Sequence, residues 1–343
     1  MKQFLSIMAF AALLLSFTSC KEGSRKKALL PTISGKAGEV IVVISKGEWE
    51  SSTGTTIRDI LATDCPFLPQ KEPLYTLVNI SPSAFTNIFQ IHRNILIVNI
   101  SNDVTEPGVV YRNDVWAQPQ CVISVNAIDS ESASQLIKDN EERILHTLEQ
   151  AERDRIIGNA KKYEERSLPP AVISMVGGSP HFPTGYVLKK KTNDFIWIAY
   201  ETTYINQGIF IYKYPVSGED DLSVEKIIAM RNEVLQKNVP GMFENTYMTT
   251  SDITMPGIEY IKYKGREFAE VRGYWEVHND YMGGPFVSQS FYSRDGKDII
   301  VLEGFVYAPR YDKRHYLRQV ESILYSFEWA EQESGKQKIT QVY

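Results

Sequence analysis

Ser179 and His181 stand two residues apart in GGSPH, the one loop of the chain with a catalytic look. Nucleophilic catalysis needs a hydroxyl and its base within hydrogen-bond reach, with a third group to orient the base. Two neighbours on one loop rarely meet that geometry, and Pro180 and Pro183 suit a turn leading into a strand at Tyr186. Glu201 and Glu303 are the next candidates. Each lies inside an apolar strand (FIWIAYET and IIVLEGFVY), where a carboxylate without a partner is unfavourable. If they converged, one carboxyl would be raised and the pair would suit the acid and base of a glycan or ester hydrolase. The other reading is two solvent-facing positions on half-exposed strands. The 5 histidines, His92, His146, His181, His278 and His315, show no pair at metal-ligand spacing. GxSxG, HExxH, a P-loop and a strand-to-helix GxGxxG are absent from the sequence. No metal or cofactor is expected, and whether the chain is an enzyme stays open, with binding favoured.

A cleaner pattern is REFAEVRGYWEVH, whose alternation puts Ala269, Val271, Trp275 and Val277 on one face and Glu270, Arg272, Tyr274, Glu276 and His278 on the other. The first face is core. The second, represented by Arg272, Tyr274, Glu276 and His278, is a candidate binding face, or else a solvated surface carrying weak ion pairs. Aromatic residues make up 11% of the chain, with 19 Tyr, and Trp197, Tyr200, Tyr204, Tyr212 and Tyr214 fall near this strand in the C-terminal half. Tyr and Trp join an apolar body to a hydrogen-bonding tip, which suits sugar or protein surfaces and equally fills a sheet core.

The elements that must position these groups read as an α+β protein. GEVIVVIS, LYTLVNI, NILIVNI and CVISVNA are short apolar runs of strand character, with helical spacing at Ile57, Ile60 and Leu61 and a Ser-Pro helix start at Ser81 and Pro82. They predict an N-terminal mixed α/β domain with a sheet of about four strands. Ser130 to Arg166 reads as one long helix capped by Ser130, with a kink expected near Gly158 and an end at Pro169 and Pro170. The remainder predicts an antiparallel sheet of about six or seven strands covered by two helices, with a hairpin at Asp295-Gly296 and a closing helix over Lys313 to Trp329.

The chain has 343 residues, a net charge of −5 and 43% hydrophobic residues. That composition disfavours extended disorder and lacks the basic excess of a nucleic-acid partner. At the start, Lys2 precedes an apolar run from Phe4 to Phe17, too short for the roughly 20-residue helix that spans a bilayer, so it reads as a secretory signal peptide. The sequence FTSC that closes it resembles the lipobox of bacterial lipoproteins, which implies that Cys20 is lipidated and becomes the mature N-terminus. Lys21 to Lys27 (KEGSRKK) then suits a solvated tether. Of the remaining cysteines, Cys65 and Cys121 can either pair in an oxidising compartment or stand as two buried thiols.

On GEVIVVIS with Trp49, LPQKEP (68–73), RNIL (93–96), HFPTGY (181–186) and RGYWEV (272–277), the chain resembles a family of uncharacterised Bacteroidota lipoproteins, a domain of unknown function over nearly the whole mature length. The resemblance implies an exported, lipid-anchored protein and supplies no activity. In such lipoproteins an acidic run after the cysteine accompanies surface export; only Glu22 follows Lys21, which points to the periplasmic side of the outer membrane. The expected organisation is signal peptide (1–19), lipidated tether (20–27), mixed α/β domain ending in the long helix (28–168), antiparallel α+β domain (169–330) and polar tail (331–343). The expected function is a non-catalytic, lipid-anchored cell-envelope module that binds an envelope protein or glycan or assists assembly. A hydrolase using Glu201 and Glu303, and a scaffold whose long helix spaces two domains, are the alternatives.

Overall fold

A computed structural model describes residues 29–331 of the chain. The signal peptide, Cys20 and most of the expected polar tail lie outside the described residues.

The N-terminal half builds from β1 (Glu39–Val43), α1 (Lys46–Trp49), α2 (Ser52–Leu61), β2 (Thr76–Ile80), α3 (Asn87–Gln90), β3 (Asn94–Ile100), β4 (Gly108–Asn113) and β5 (Cys121–Ala127). The sheet order is β2-β1-β3-β5-β4, parallel except for β4, which runs antiparallel to β5. β1, β3 and β5 read as nearly unbroken apolar runs because parallel strands are covered on both faces. One face packs Val40, Leu96 and Ile123 against Ile57, Ile137 and Leu148; the other packs Ile41, Ile95 and Val122 against Phe85, Phe89 and Trp116. The sheet has five strands rather than four. β4 escapes the sequence pattern because it is an edge strand with no fully buried residue. At Ser81 and Pro82 the chain forms one 3₁₀ turn, Pro82–Ala84, before α3.

The expected single helix is two, α4 (Ser130–Asp139) and α5 (Glu141–Lys162), and a further helix, α6 (Pro169–Val176), follows it. The break is at Asn140 and not Gly158. Asn140 leaves helical geometry (φ −111°, ψ 13°) and its side-chain amide donates to the Leu136 carbonyl, supplying a local partner that competes with the helix. The N-cap is Asp129, whose carboxylate accepts from the Ser132 amide at 2.8 Å, and Ser130 is the first helical residue. Pro169 and Pro170 open α6 instead of closing the helix, because proline in a first turn removes only an N–H that would have no helical partner. α5 changes cores along its length: Ile144 and Leu148 pack in the N-terminal half, Ile157 in the C-terminal half, and Glu152 and Arg153 are buried between.

The C-terminal half contains β6 (Gly178–Ser179), β7 (Val187–Lys191), β8 (Phe195–Glu201), β9 (Asn206–Pro215), α7 (Val224–Asn238), β10 (Met248–Thr250), β11 (Gly257–Tyr263), β12 (Arg266–Val277), β13 (Gly283–Tyr292), β14 (Asp298–Tyr307), α8 (Arg314–Tyr325) and β15 (Glu328–Trp329). An eight-stranded antiparallel sheet runs β10-β12-β13-β14-β9-β8-β7, with β11 also paired to β12. The Asp295-Gly296 hairpin joins β13 to β14, and Gly296 takes φ +69° as its turn requires. One face of the sheet packs Phe210, Val271 and Trp275 against Ile227 and Leu235 of α7; the other packs Ile209, Val287 and Leu302 against α6 and α8. The closing helix stops at Tyr325, and Glu328 and Trp329 pair with Ser179 and Gly178 as β15 against β6. Three helices, not two, therefore lie on this sheet.

Candidate functional site

The predicted binding row on β12 faces the other half of the same chain. Arg272 donates to Glu270 at 2.7 Å and contacts Glu321 of α8 at 2.9 Å. Arg153 of α5 reaches the same Glu321 oxygen at 2.9 Å, and Arg318 of α8 pairs with Glu149 of α5 at 2.9 Å. Tyr274 donates its hydroxyl to the Leu68 carbonyl at 2.9 Å and packs beside Phe67, so the Cys65–Leu68 loop covers this end of the row. Glu276 is half-buried opposite Thr249, and His278 stacks on Tyr247 with ring centroids 4.9 Å apart. Arg272, Tyr274, Glu276 and His278 thus form no common solvated face. The alternation was read correctly for Val271, Trp275 and Val277, but period two cannot say what covers the opposite side.

Glu270 and Arg272 border a cleft of about 490 Å³ whose walls also carry Glu149, Arg153, Arg318 and Glu321. Its innermost charges, Glu149, Arg153, Glu270, Arg272, Arg318 and Glu321, are mutually paired. Burial would raise the Glu321 carboxyl, but Arg272 and Arg153 outweigh it and hold the group at about 2. Cys65 also lines this cleft, where burial pushes its thiol up to about 11. Cys121 sits on β5 in the N-terminal core, raised likewise to about 11. Both are free thiols, so the disulfide left open by the sequence is not formed.

The two strand carboxylates do not converge. Glu201 is exposed at the end of β8 and pairs with Lys189 at 2.7 Å. Glu303 is fully buried on β14, in a bidentate pair with Arg231 of α7 at 2.8 and 2.9 Å. Burial raises its carboxyl despite the opposing pull of Arg231. The pair that would make a hydrolase is absent here because each carboxylate already has a cationic partner of its own. Ser179 donates to the neighbouring Pro180 carbonyl, whereas His181 contacts Glu164 through Nδ1 at 2.6 Å, so neither serves the other. Among the described residues no cluster of three or more His, Cys, Asp or Glu could hold a metal ion, and no helix is long and apolar enough to cross a membrane.

A second cleft, of about 570 Å³, opens where α5, α8 and strands β8 and β9 meet. No carboxylate is among the described residues that line it. Behind Arg93 and Arg155 lies Glu152, fully buried, whose Oε1 accepts from Asn94 Nδ2 at 2.8 Å and from Arg155 Nη1 at 3.1 Å, with Arg93 Nε 3.1 Å away as an ion pair without a hydrogen bond. One carboxylate thus holds two guanidinium groups. Arg155 is further committed to the Pro119, Arg93 and Asn94 oxygens, and burial lowers its pKa against the pull of Glu152. Arg93 is different. Its side chain is only 13% exposed, it meets Glu152 through Nε, and its Nη1 and Nη2 have no hydrogen-bond partner among the described residues.

The opposite wall fixes a histidine tautomer. Gln207 Nε2 donates to the Tyr316 carbonyl at 3.1 Å and to Gln319 Oε1 at 2.9 Å, which leaves Gln319 Nε2 to donate to His315 Nε2 at 2.9 Å. The proton of His315 is therefore on Nδ1, a donor with no protein partner. Burial and the nearby Arg318 lower the pKa of this ring, so it is neutral at pH 7. Tyr186, Tyr200 and Tyr316 complete the lining, with Tyr186 and Tyr200 rings 5.8 Å apart. The cleft thus offers fixed donors, aromatic surface and one uncompensated positive charge.

None of Arg93, Glu152, Arg155, His315 or Gln319 was singled out as a site residue in the sequence. Arg93 lies in the RNIL segment on which the family resemblance rests.

The described residues form an α+β fold with clefts between its two halves, and among them the predicted catalytic groups do not assemble, so the class is defined by architecture. Two family models match it: the domain of unknown function DUF8532 over residues 33–161 and the domain of unknown function DUF4837 over residues 166–326. Over most of its length the chain is thus similar to domains to which no function is attached. A solved structure from Bacteroides thetaiotaomicron is similar at 11% identity with a TM-score of 0.25, covering 46% of this chain and 46% of that one, less than half of each. No curated protein matches the chain.

Proposed function

We propose that this is a lipid-anchored cell-envelope protein that binds an envelope glycan without transforming it, using the cleft between α5, α8, β8 and β9. The reading is carried by one observation: a concave site of about 570 Å³ combines tyrosine surface with hydrogen-bonding amide and imidazole groups held in place by their neighbours. Clefts of this size, with few fixed polar groups and much aromatic wall, suit a small hydroxylated unit rather than the broad face of a protein. The anchor rests on FTSC and its resemblance to a lipobox, and the single acidic residue after Lys21, Glu22, supports a periplasm-facing site at the outer membrane.

Both parts are open to test. Full-length protein expressed in a Bacteroidota host should incorporate labelled fatty acid, and Cys20→Ala should lose the label; retained label in the variant rejects the anchor. Detergent-solubilised full chain should retain fluorescently labelled glycan fragments from the envelope and release them with unchanged mass. Tyr200→Ala, at a partly exposed position on the cleft wall, should weaken retention about tenfold. Undiminished retention moves the site elsewhere, and shortened fragments restore an enzyme reading.

A further inference from the structure

The described lining of the cleft contains arginine but no carboxylate, in a chain whose net charge is −5. The imbalance is specific. In the neighbouring 490 Å³ cleft, Arg272 pairs with Glu270 and Glu321, Arg153 with Glu321, and Arg318 with Glu149. Here two arginines share one buried glutamate, and the second of them, Arg155, spends its donors on backbone and Asn94 oxygens. What remains is the amino edge of Arg93, planar and charged, the geometry that accepts the two oxygens of a carboxylate or phosphate side by side. Its aliphatic stem and Nε are fixed by burial and by Glu152, so little side-chain freedom is lost when an anion arrives.

Neutral His315 is held in orientation by the Gln207–Gln319 relay, with its Nδ1–H buried and without a protein partner behind the cleft wall. Gln207 and Gln319 belong to the wall as well: Gln207 Nε2 is spent on Tyr316 and Gln319, while Gln207 Oε1 has no hydrogen-bond partner among the described residues. The Tyr186, Tyr200 and Tyr316 hydroxyls have no hydrogen-bond partner among the described residues and border the same space.

From this arrangement we infer that the unit bound in the cleft is an acidic sugar, its oxyanion held by Arg93 and its ring lying against the tyrosines. The inference rests on the glycan reading above and narrows it. Either a uronic-acid carboxylate or a sugar phosphate supplies the oxyanion; the shared requirement is a singly or doubly charged oxygen pair beside hydroxyl groups. Desolvation disfavours an uncompensated Arg93, and an anion from the ligand relieves it, so affinity should fall with added salt less steeply than for an exposed cation.

The test is competition on the full chain with glucuronate, glucose 6-phosphate and glucose, each displacing the labelled envelope glycan. The expected result is that an acidic probe competes at least tenfold better than glucose, and that Arg93→Gln brings the ratio of acidic to neutral competition toward one. Arg93→Lys keeps the charge but not the planar edge and should fall between the two. Which acidic probe is stronger distinguishes carboxylate from phosphate. If Arg93→Gln fails to fold, the ratio of acidic to neutral probe on unmodified protein still decides the matter. Retained glycan capture with equal competition by glucose, or with none by either acid, overturns the acidic-ligand inference and leaves the glycan reading standing. No glycan capture at all ends both.

Discussion

Glu321 helps to join the two halves, because Arg153 of α5 and Arg272 of β12 both close on it. Its carboxyl sits at about 2 against an ordinary value of 4.5. The stabilisation this represents is complete above the unfolded value and is lost as pH falls from about 4.5 toward 2. Glu321→Gln leaves Arg153 and Arg272 facing each other and should cost roughly 3 kcal/mol, the low end for a broken buried pair because Arg272 retains some solvent. Acid titration of stability should show a shallower slope between pH 4.5 and 2 for the variant; equal slopes would place the acid sensitivity elsewhere. At this scale the sequence was half legible. A carboxylate inside IIVLEGFVY announces that Glu303 needs a partner, but nothing in the strand names Arg231, which comes from a helix far along the chain. Arg93 was invisible for the same reason: it shares Glu152, far along the chain, with Arg155, and its free edge is defined only once Arg155 has taken the competing acceptors.

The elements follow local rules wherever a local rule decides. Gly296 and Gly38 both occupy positive φ, at +69° and +73°, yet they answer to different neighbours. An added Cβ at Gly296 meets open space, whereas at Gly38 it comes within 2.9 Å of Arg318 Nη1. Gly296→Ala should therefore lose only the backbone term, about 1 kcal/mol, and Gly38→Ala should lose more, since the Arg318–Glu149 pair must also shift. Urea midpoints of the two variants check the order; a larger loss at Gly296 would contradict it. The hairpin was readable because Asp-Gly acts within four residues. The break at Asn140 was missed because the apolar stripe continues across it, and only the side-chain bond to Leu136 turns the chain. β4 was missed because an edge strand need not bury a full face.

At the scale of the whole molecule, α5 joins the two halves rather than spacing them. It supplies Ile144 and Leu148 to one core and Ile157 to the other, and its Glu149 and Arg153 pair with α8. A scaffold that holds two domains apart would instead have a solvated central helix. The expected consequence is a single calorimetric transition for the full chain, since neither half can unfold without exposing charges paired with the other. Two resolved transitions would show that the junction contributes little. The family models nevertheless match the two halves separately, so the same measurement bears on whether the halves are independent folding units.

The sequence by itself determined what depends on near neighbours: α+β class, the apolar strands, the hairpin, the core face of β12, and the apolar run ending in FTSC. These are properties of residues a few positions apart, where period, turn chemistry and hydrophobicity act directly. Tertiary structure alone decided which charged residues face each other. Glu303 found Arg231, Arg272 found Glu321, and Arg93 kept an open edge, because ion pairs form between side chains brought together by packing, with no record in the local pattern of either strand or helix. The candidate site lies at that junction, where sequence distance is greatest and local rules are weakest.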